Sequence, residues 1–195
     1  MNEETPMTEK ESMELITSMI NKAKNNFSER GLLYIVWGWV ILFCCAVNFG
    51  GIFFFNYSKS YLVWIVVDVV LIFQIIYLRR KKKFGGTKTY TSEINSFVWI
   101  VFFICMVLMV FICIAFKKYE MINPMVLMLY GMPTFLSGII MKFKPLVIGA
   151  ICCWLLALIS PFINIEYQIL LIAAAIIAAW LIPGYLLKQK FKKEN

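Results

Sequence analysis

The chain has 195 residues, of which 62% are hydrophobic and 15% charged, with a formal net charge of +8. One soluble core of this size could not bury so much apolar side chain, so the composition excludes a soluble domain and makes lipid the solvent. The excess positive charge lies beside apolar runs, where membrane topology and anionic headgroups account for it, and no nucleic-acid partner is expected.

Residues 1–30 read as an amphipathic arm. Thr8 and Glu11, just after Pro6, have capping-box spacing, and Met13, Ile16, Ile20, Ala23 and Phe27 then recur at alternating intervals of three and four. The pattern predicts a helix along the cytoplasmic side of the membrane, with the chain turning inward near Gly31. Lys10, Lys22, Lys24 and Arg30 balance Glu9, Glu11, Glu14 and Glu29. A lipid anchor that works by charge alone is usually more basic. Two readings of residues 8–27 therefore stand side by side: docking on the bundle, on a protein partner or on a second copy of the chain, and an interfacial helix with no partner.

Residues 31–187 hold six apolar runs, at roughly 32–55, 61–78, 97–116, 124–141, 145–163 and 167–187. Each can cross about 30 Å of hydrocarbon at about 1.5 Å per residue. Helices satisfy their own backbone groups in lipid, so the predicted fold is all-α: a six-transmembrane-helix bundle with an N-terminal cytoplasmic amphipathic helix. Sixteen of the 19 basic residues fall on one side of the alternating path, and only Lys59, Lys117 and Lys118 on the other. That asymmetry places both termini, including the basic tail 188–195, in the cytoplasm.

The longest connection, Arg79 to Ser96, opens with a stop-transfer cluster, Arg79 to Lys83, followed by Gly85-Gly86 and a polar stretch. Its Gly85-Gly86-Thr87-Lys88-Thr89 lacks the frame of a phosphate-binding loop and follows no strand. The six cysteines all lie inside apolar runs and none has CxxC spacing, so they read as packing residues. Trp154 and Trp180 lie deep enough to pack between helices, whereas Tyr34, Trp37 and Trp99 read as part of an interfacial aromatic belt.

Asp68 is the chain's one aspartate and lies near the middle of the second run. Its insertion costs about 3 kcal/mol, which the surrounding Leu, Ile, Val and Phe residues offset. The spans supply no counter-cation near it, and intramembrane acids commonly mark function. Counting depth along the runs puts Asn48, Tyr130 and Thr134 at similar height. Pro133, with Gly131 nearby, frees a helical carbonyl. Together these residues form a candidate proton or cation site, with a second, inner polar layer at Gln74 and Ser137. The alternative role for the same polar residues is to hydrogen-bond neighbouring helices.

Catalysis is not expected. The chain has no histidine for serine or metal hydrolysis and no second aspartate for aspartyl chemistry. No metal or cofactor set is evident, and Glu120 and Glu166 read as solvated loop charges on the outer face.

Three stretches carry a family likeness: Glu11-Ser12-Met13-Glu14-Leu15-Ile16, the start of the first run at Gly31-Leu32-Leu33-Tyr34, and Tyr130 to Trp154 with its Tyr130-Gly131-Met132-Pro133 and Lys142-Phe143-Lys144-Pro145. In these the chain resembles a family of short six-span bacterial inner-membrane proteins of no known activity. The resemblance implies a multi-pass protein of the bacterial cytoplasmic membrane and brings no site residues with it. The leading expectation is a non-enzymatic module acting by association, as an interaction or regulatory unit. The alternative is a small cation- or proton-linked transporter or channel centred on Asp68.

Overall fold

The computed structural model describes residues 9–55, 59–83 and 90–193. Among them lie six helical segments long and apolar enough to cross a membrane: Gly31–Phe53, Ser60–Tyr77, Glu93–Ala115, Tyr119–Ile140, Lys144–Phe162 and Ile165–Gln189. The chain is thus an all-α, multi-pass membrane protein whose outward apolar side chains meet lipid. Side chains of the arm apart from Met13, and the Gly85–Thr87 break, lie outside the described residues.

Helix α1 runs from Glu9 to Phe53. The turn expected near Gly31 is absent: the helix passes through that glycine unbroken, and Glu9 to Arg30 extend it about 33 Å beyond the first span. The physical reason is local, since Gly31 is packed against α7 in helical conformation and is not needed as a breaker. A short 3-10 turn, Ser60–Trp64, leads into α2, Ile65–Lys83. Helix α3 is Tyr90–Ala115, α4 is Ile122–Ile140 and α5 is Lys144–Ile159. The sixth span consists of α6, Ile165–Ile176, a π segment, Ile177–Leu181, and α7, Ile182–Lys193. The π segment lies just ahead of Pro183, whose missing N–H removes a ladder bond to the carbonyl of Ala179.

Two helix ends share one device. After α3, Lys118 N–H donates to the Cys113 carbonyl at 2.8 Å, and after α4, Phe143 N–H donates to the Gly138 carbonyl at 2.9 Å. The intervening Lys117 and Lys142 have φ of 55° and 50°. These are Schellman ends with lysine where glycine is usual. The left-handed conformation costs about 1–2 kcal/mol, partly offset by a cation next to a helix C-terminus.

Burial divides the spans sharply. Half of the fourth and sixth spans and 44% of the first are buried, against 28% of the fifth, 11% of the third and 6% of the second. The core lies where α1, α4, α5 and the sixth span meet, around Ile41, Leu127, Leu146, Ile172 and Ile176. Helix α3 leans on this core through rings: Trp99 lies edge-on to Tyr34 and Trp180, and Phe102 against Tyr130. Tyr34 is buried and Trp99 half-buried, so these belong to the core rather than to the expected interfacial belt. Helix α2 lies at the edge, held by α1.

Lipid gives helices no hydrophobic reason to associate, so close backbone contact matters more than in water. Gly31 and Gly184 face each other where α1 and α7 run antiparallel, and a Cβ on either would stand 3.2–3.3 Å from the other's carbonyl oxygen. Gly149 brings α5 against the π segment: a Cβ there would lie 2.5 Å from the Ala179 Cα and 2.7 Å from the Ala178 carbonyl oxygen. Neither of those atoms can move without shifting backbone. Gly149→Ala is therefore expected to destabilise the bundle by about 1–3 kcal/mol. Gly50→Ala is the contrasting case, because its new methyl would meet only the Phe54 ring at 4.0 Å; it is expected to be neutral or to stabilise by up to ~1 kcal/mol. Equilibrium unfolding in mixed micelles reads both, and equal effects would contradict the close α5 contact.

Candidate functional site

The polar residues within the spans separate into pairs, each joining two elements. Ser60 Oγ donates to Asn48 Oδ1 at 2.9 Å, fastening the start of the second span to α1. Lower on the same pair of helices, the Trp37 indole N–H donates to Gln74 Oε1. Ser137 Oγ donates to Asn95 Oδ1 at 2.7 Å between α4 and α3. Thr134 Oγ1 donates to the Tyr130 carbonyl one turn back at 2.7 Å and accepts from the Trp180 indole at 3.0 Å, joining α4 to the π segment. Trp154 packs on Gly131, where a side chain would collide with the indole, and its N–H donates to the Met128 carbonyl at 3.2 Å. Pro133 is fully buried within α4.

The expected quartet is not one constellation. Tyr130 and Thr134 are close neighbours in the core, Asn48 belongs to the α1 contact with Ser60, and Asp68 is apart from all three. From Trp64 to Gln74 the half-buried positions are Trp64, Val67, Val70, Leu71 and Gln74, a stripe of three- and four-residue spacing turned toward the bundle. Asp68 comes one residue after Val67, about 100° round the helix, and is exposed. Among the described residues it has no hydrogen-bond or ion-pair partner. Gln74 and Ser137 likewise form no shared layer, since one tethers α2 to α1 and the other α4 to α3.

Sequence reading missed Ser60 and Asn95 as partners. Both lie just outside the hydropathy-defined runs, at the starts of the second and third spans. Their signal was a polar residue within a turn or two of a boundary, at a depth matching an amide or hydroxyl on another span.

A polar cavity of about 470 Å³ opens on the face opposite the chain ends, lined by Glu120, Phe162, Asn164, Glu166 and Gln168 among others. The two glutamates thus face one shared hollow. Gln168 is buried in its floor, and its amide N–H groups donate to the Ser160 and Ile163 carbonyls at 3.1 and 3.0 Å. This bonding closes off the 3-10 turn at Ser160–Phe162 and orients the start of α6. Among the described residues no group of three or more metal-ligating side chains comes together, and the six cysteines are free thiols.

The pairings set separate expectations for two residues. Thr134→Val deprives the buried Trp180 N–H of its acceptor and is expected to lower stability by about 1–2 kcal/mol. Asp68→Asn touches no internal contact and is expected to leave folding unchanged within about 0.5 kcal/mol. Unfolding in detergent distinguishes them, and a large loss with Asp68→Asn would place that carboxyl in a contact the fold requires. No family model, curated protein or solved structure matches the chain.

Proposed function

We propose that the chain is a non-enzymatic interaction or regulatory module of a bacterial cytoplasmic membrane, with both ends cytoplasmic, and that it acts by association through its N-terminal helix. The observation that carries this reading is the continuity of α1 from Glu9 to Phe53. An arm lying on the lipid surface needs a bend where it enters the membrane. Here no break separates the arm from the first span, which favours an arm that leaves the membrane surface over one that lies along it.

The arm's apolar seam is Met13, Ile16, Ile20, Ala23 and Phe27, whose alternating three- and four-residue spacing is that of a coiled-coil a/d stripe. Two heptads are too short to be stable alone in water, and they gain stability when a partner helix covers the stripe. A second copy in the same bilayer would present its arm in parallel. A soluble partner could lie in either direction. The 16-to-3 division of basic residues supports the orientation, because it puts the arm and the Arg79 to Ser96 connection on the side where cations are retained.

Transport centred on Asp68 loses the arrangement that motivated it. The acid is exposed beside the stripe that α2 turns to the bundle, and Asn48 and Thr134 bond to other partners.

Deleting residues 8–27 is expected to abolish cross-linked complexes of the full-length protein in its native membrane while leaving the bundle folded. The double substitution Ile16→Lys with Ile20→Lys, which keeps the length of the arm, is expected to do the same. Undiminished complexes in both variants would refute the arm as the association surface. Reporter fusions at the C-terminus and directly after Lys83 are expected to show cytoplasmic activity, and periplasmic activity at either would reverse the orientation.

A further inference from the structure

We infer that the outward face of α2 around Asp68 is a second, intramembrane binding surface, and that its partner is a transmembrane helix of another protein carrying a lysine or arginine near mid-membrane. The inference stands apart from the arm: it concerns a different face, in a different solvent.

Three observations lead there. Asp68 lies about midway between Ser60 and Tyr77, the ends of its span, some 14 Å of helical rise from either. It is exposed on the bundle surface and unpartnered among the described residues, between Ile65, Ile72 and Ile75, which are exposed on the same face. Its span is also the least covered of the six, with 6% buried, leaving room for another helix along its length.

The kind of partner follows from charge. An acid facing hydrocarbon at mid-depth is costly until an opposite charge or a hydrogen-bonding group meets it. The other charged residues of the six spans, Glu93, Glu120, Lys144, Glu166 and Lys188, stand within a turn of a span's end. A second copy of this chain therefore brings no cation to that depth. A foreign helix with one central basic residue does, and its long aliphatic stem can lie along the isoleucines while its charged end reaches the carboxylate. The rest of the face discriminates little, since exposed isoleucines contact lipid and a helix about equally well. Specificity thus resides in the acid.

The test uses the full-length protein in liposomes with labelled synthetic helices of about 21 apolar residues that differ only at the centre: lysine, glutamine or leucine. Energy transfer between protein and helix reports association. The lysine helix is expected to bind at least about tenfold more tightly than the leucine helix, the equivalent of ~1.4 kcal/mol, with glutamine between them. Asp68→Asn is expected to remove the lysine preference. Asp68→Lys is expected to transfer the preference to a helix with a central aspartate. Equal binding of lysine and leucine helices, or a lysine preference that survives Asp68→Asn, would overturn the inference. So would self-association of the protein that depends on Asp68 and is not displaced by the lysine helix, because the acid would then be covered by a second copy. Each of these outcomes is separable from the arm, whose deletion leaves α2 in place.

Discussion

Hydrocarbon does not drive helices together, because an apolar side chain is as comfortable against lipid as against another helix. The fold therefore depends on contacts that lipid cannot imitate: backbones brought within van der Waals reach and polar groups that find each other. Gly149 against Ala178 and Ala179, and Gly31 against Gly184, are contacts of the first kind. The pairs Asn48 with Ser60, Gln74 with Trp37, Ser137 with Asn95 and Thr134 with Trp180 are of the second. Each such bond is worth only about 0.6 kcal/mol and at most about 2. Their distribution over α1–α2, α3–α4 and α4 with the π segment fixes which spans are neighbours, and so contributes more to specificity than to strength.

The same constraint explains the graded burial. The fourth and sixth spans combine close glycine contacts with buried polar groups, and half of each is covered. The second span has bulky β-branched residues on every side, no glycine, and two tethers to α1, at Ser60 and Gln74. It stays at the edge for want of surfaces that could bring it closer. The sixth span widens into a π turn just ahead of Pro183, which removes a ladder bond, and that turn presents Trp180 to Thr134 and a smooth Ala178–Ala179 backbone to Gly149. A local backbone irregularity thus becomes the place where α4 and α5 both meet the sixth span.

The six spans were legible in the sequence because the thickness of hydrocarbon imposes a minimum apolar length, and charged residues accumulate where that length ends. Their boundaries fall within a few residues of those in the structure. The face each residue occupies was not legible. In a span apolar all round, nothing in the hydropathy distinguishes Val67, turned toward α1, from Asp68, one residue on and exposed. Tyr130 and Thr134 are neighbours because both lie on one helix, where spacing gives the face as well as the height. Across helices it gives height alone. Asn48, Asp68 and Tyr130 were therefore grouped by depth, and their directions separate them. The tight approach of Trp154 to Gly131 was visible only as a glycine and a deep tryptophan, with no sign that the two would meet.

The polar inventory leads to an asymmetry between two sides of one helix. On the inward side of α2, Gln74 is matched within the chain by Trp37, while Ser60 at the start of the span is matched by Asn48. On its outward side, Asp68 is matched by nothing among the described residues. Were the acid needed to hold the bundle, it would sit where the other polar groups sit, between two helices of the same chain. Were it incidental, substitution by any of the apolar residues around it would recover the roughly 3 kcal/mol that its insertion costs. A group that is costly in lipid and contributes nothing to the fold has its stabilising contact outside the chain, and α2 is the span with the most open surface to receive it. The edge position of α2 and the direction of Asp68 are then two consequences of one arrangement, in which the inner four spans hold the protein together and the least covered span is left for a partner.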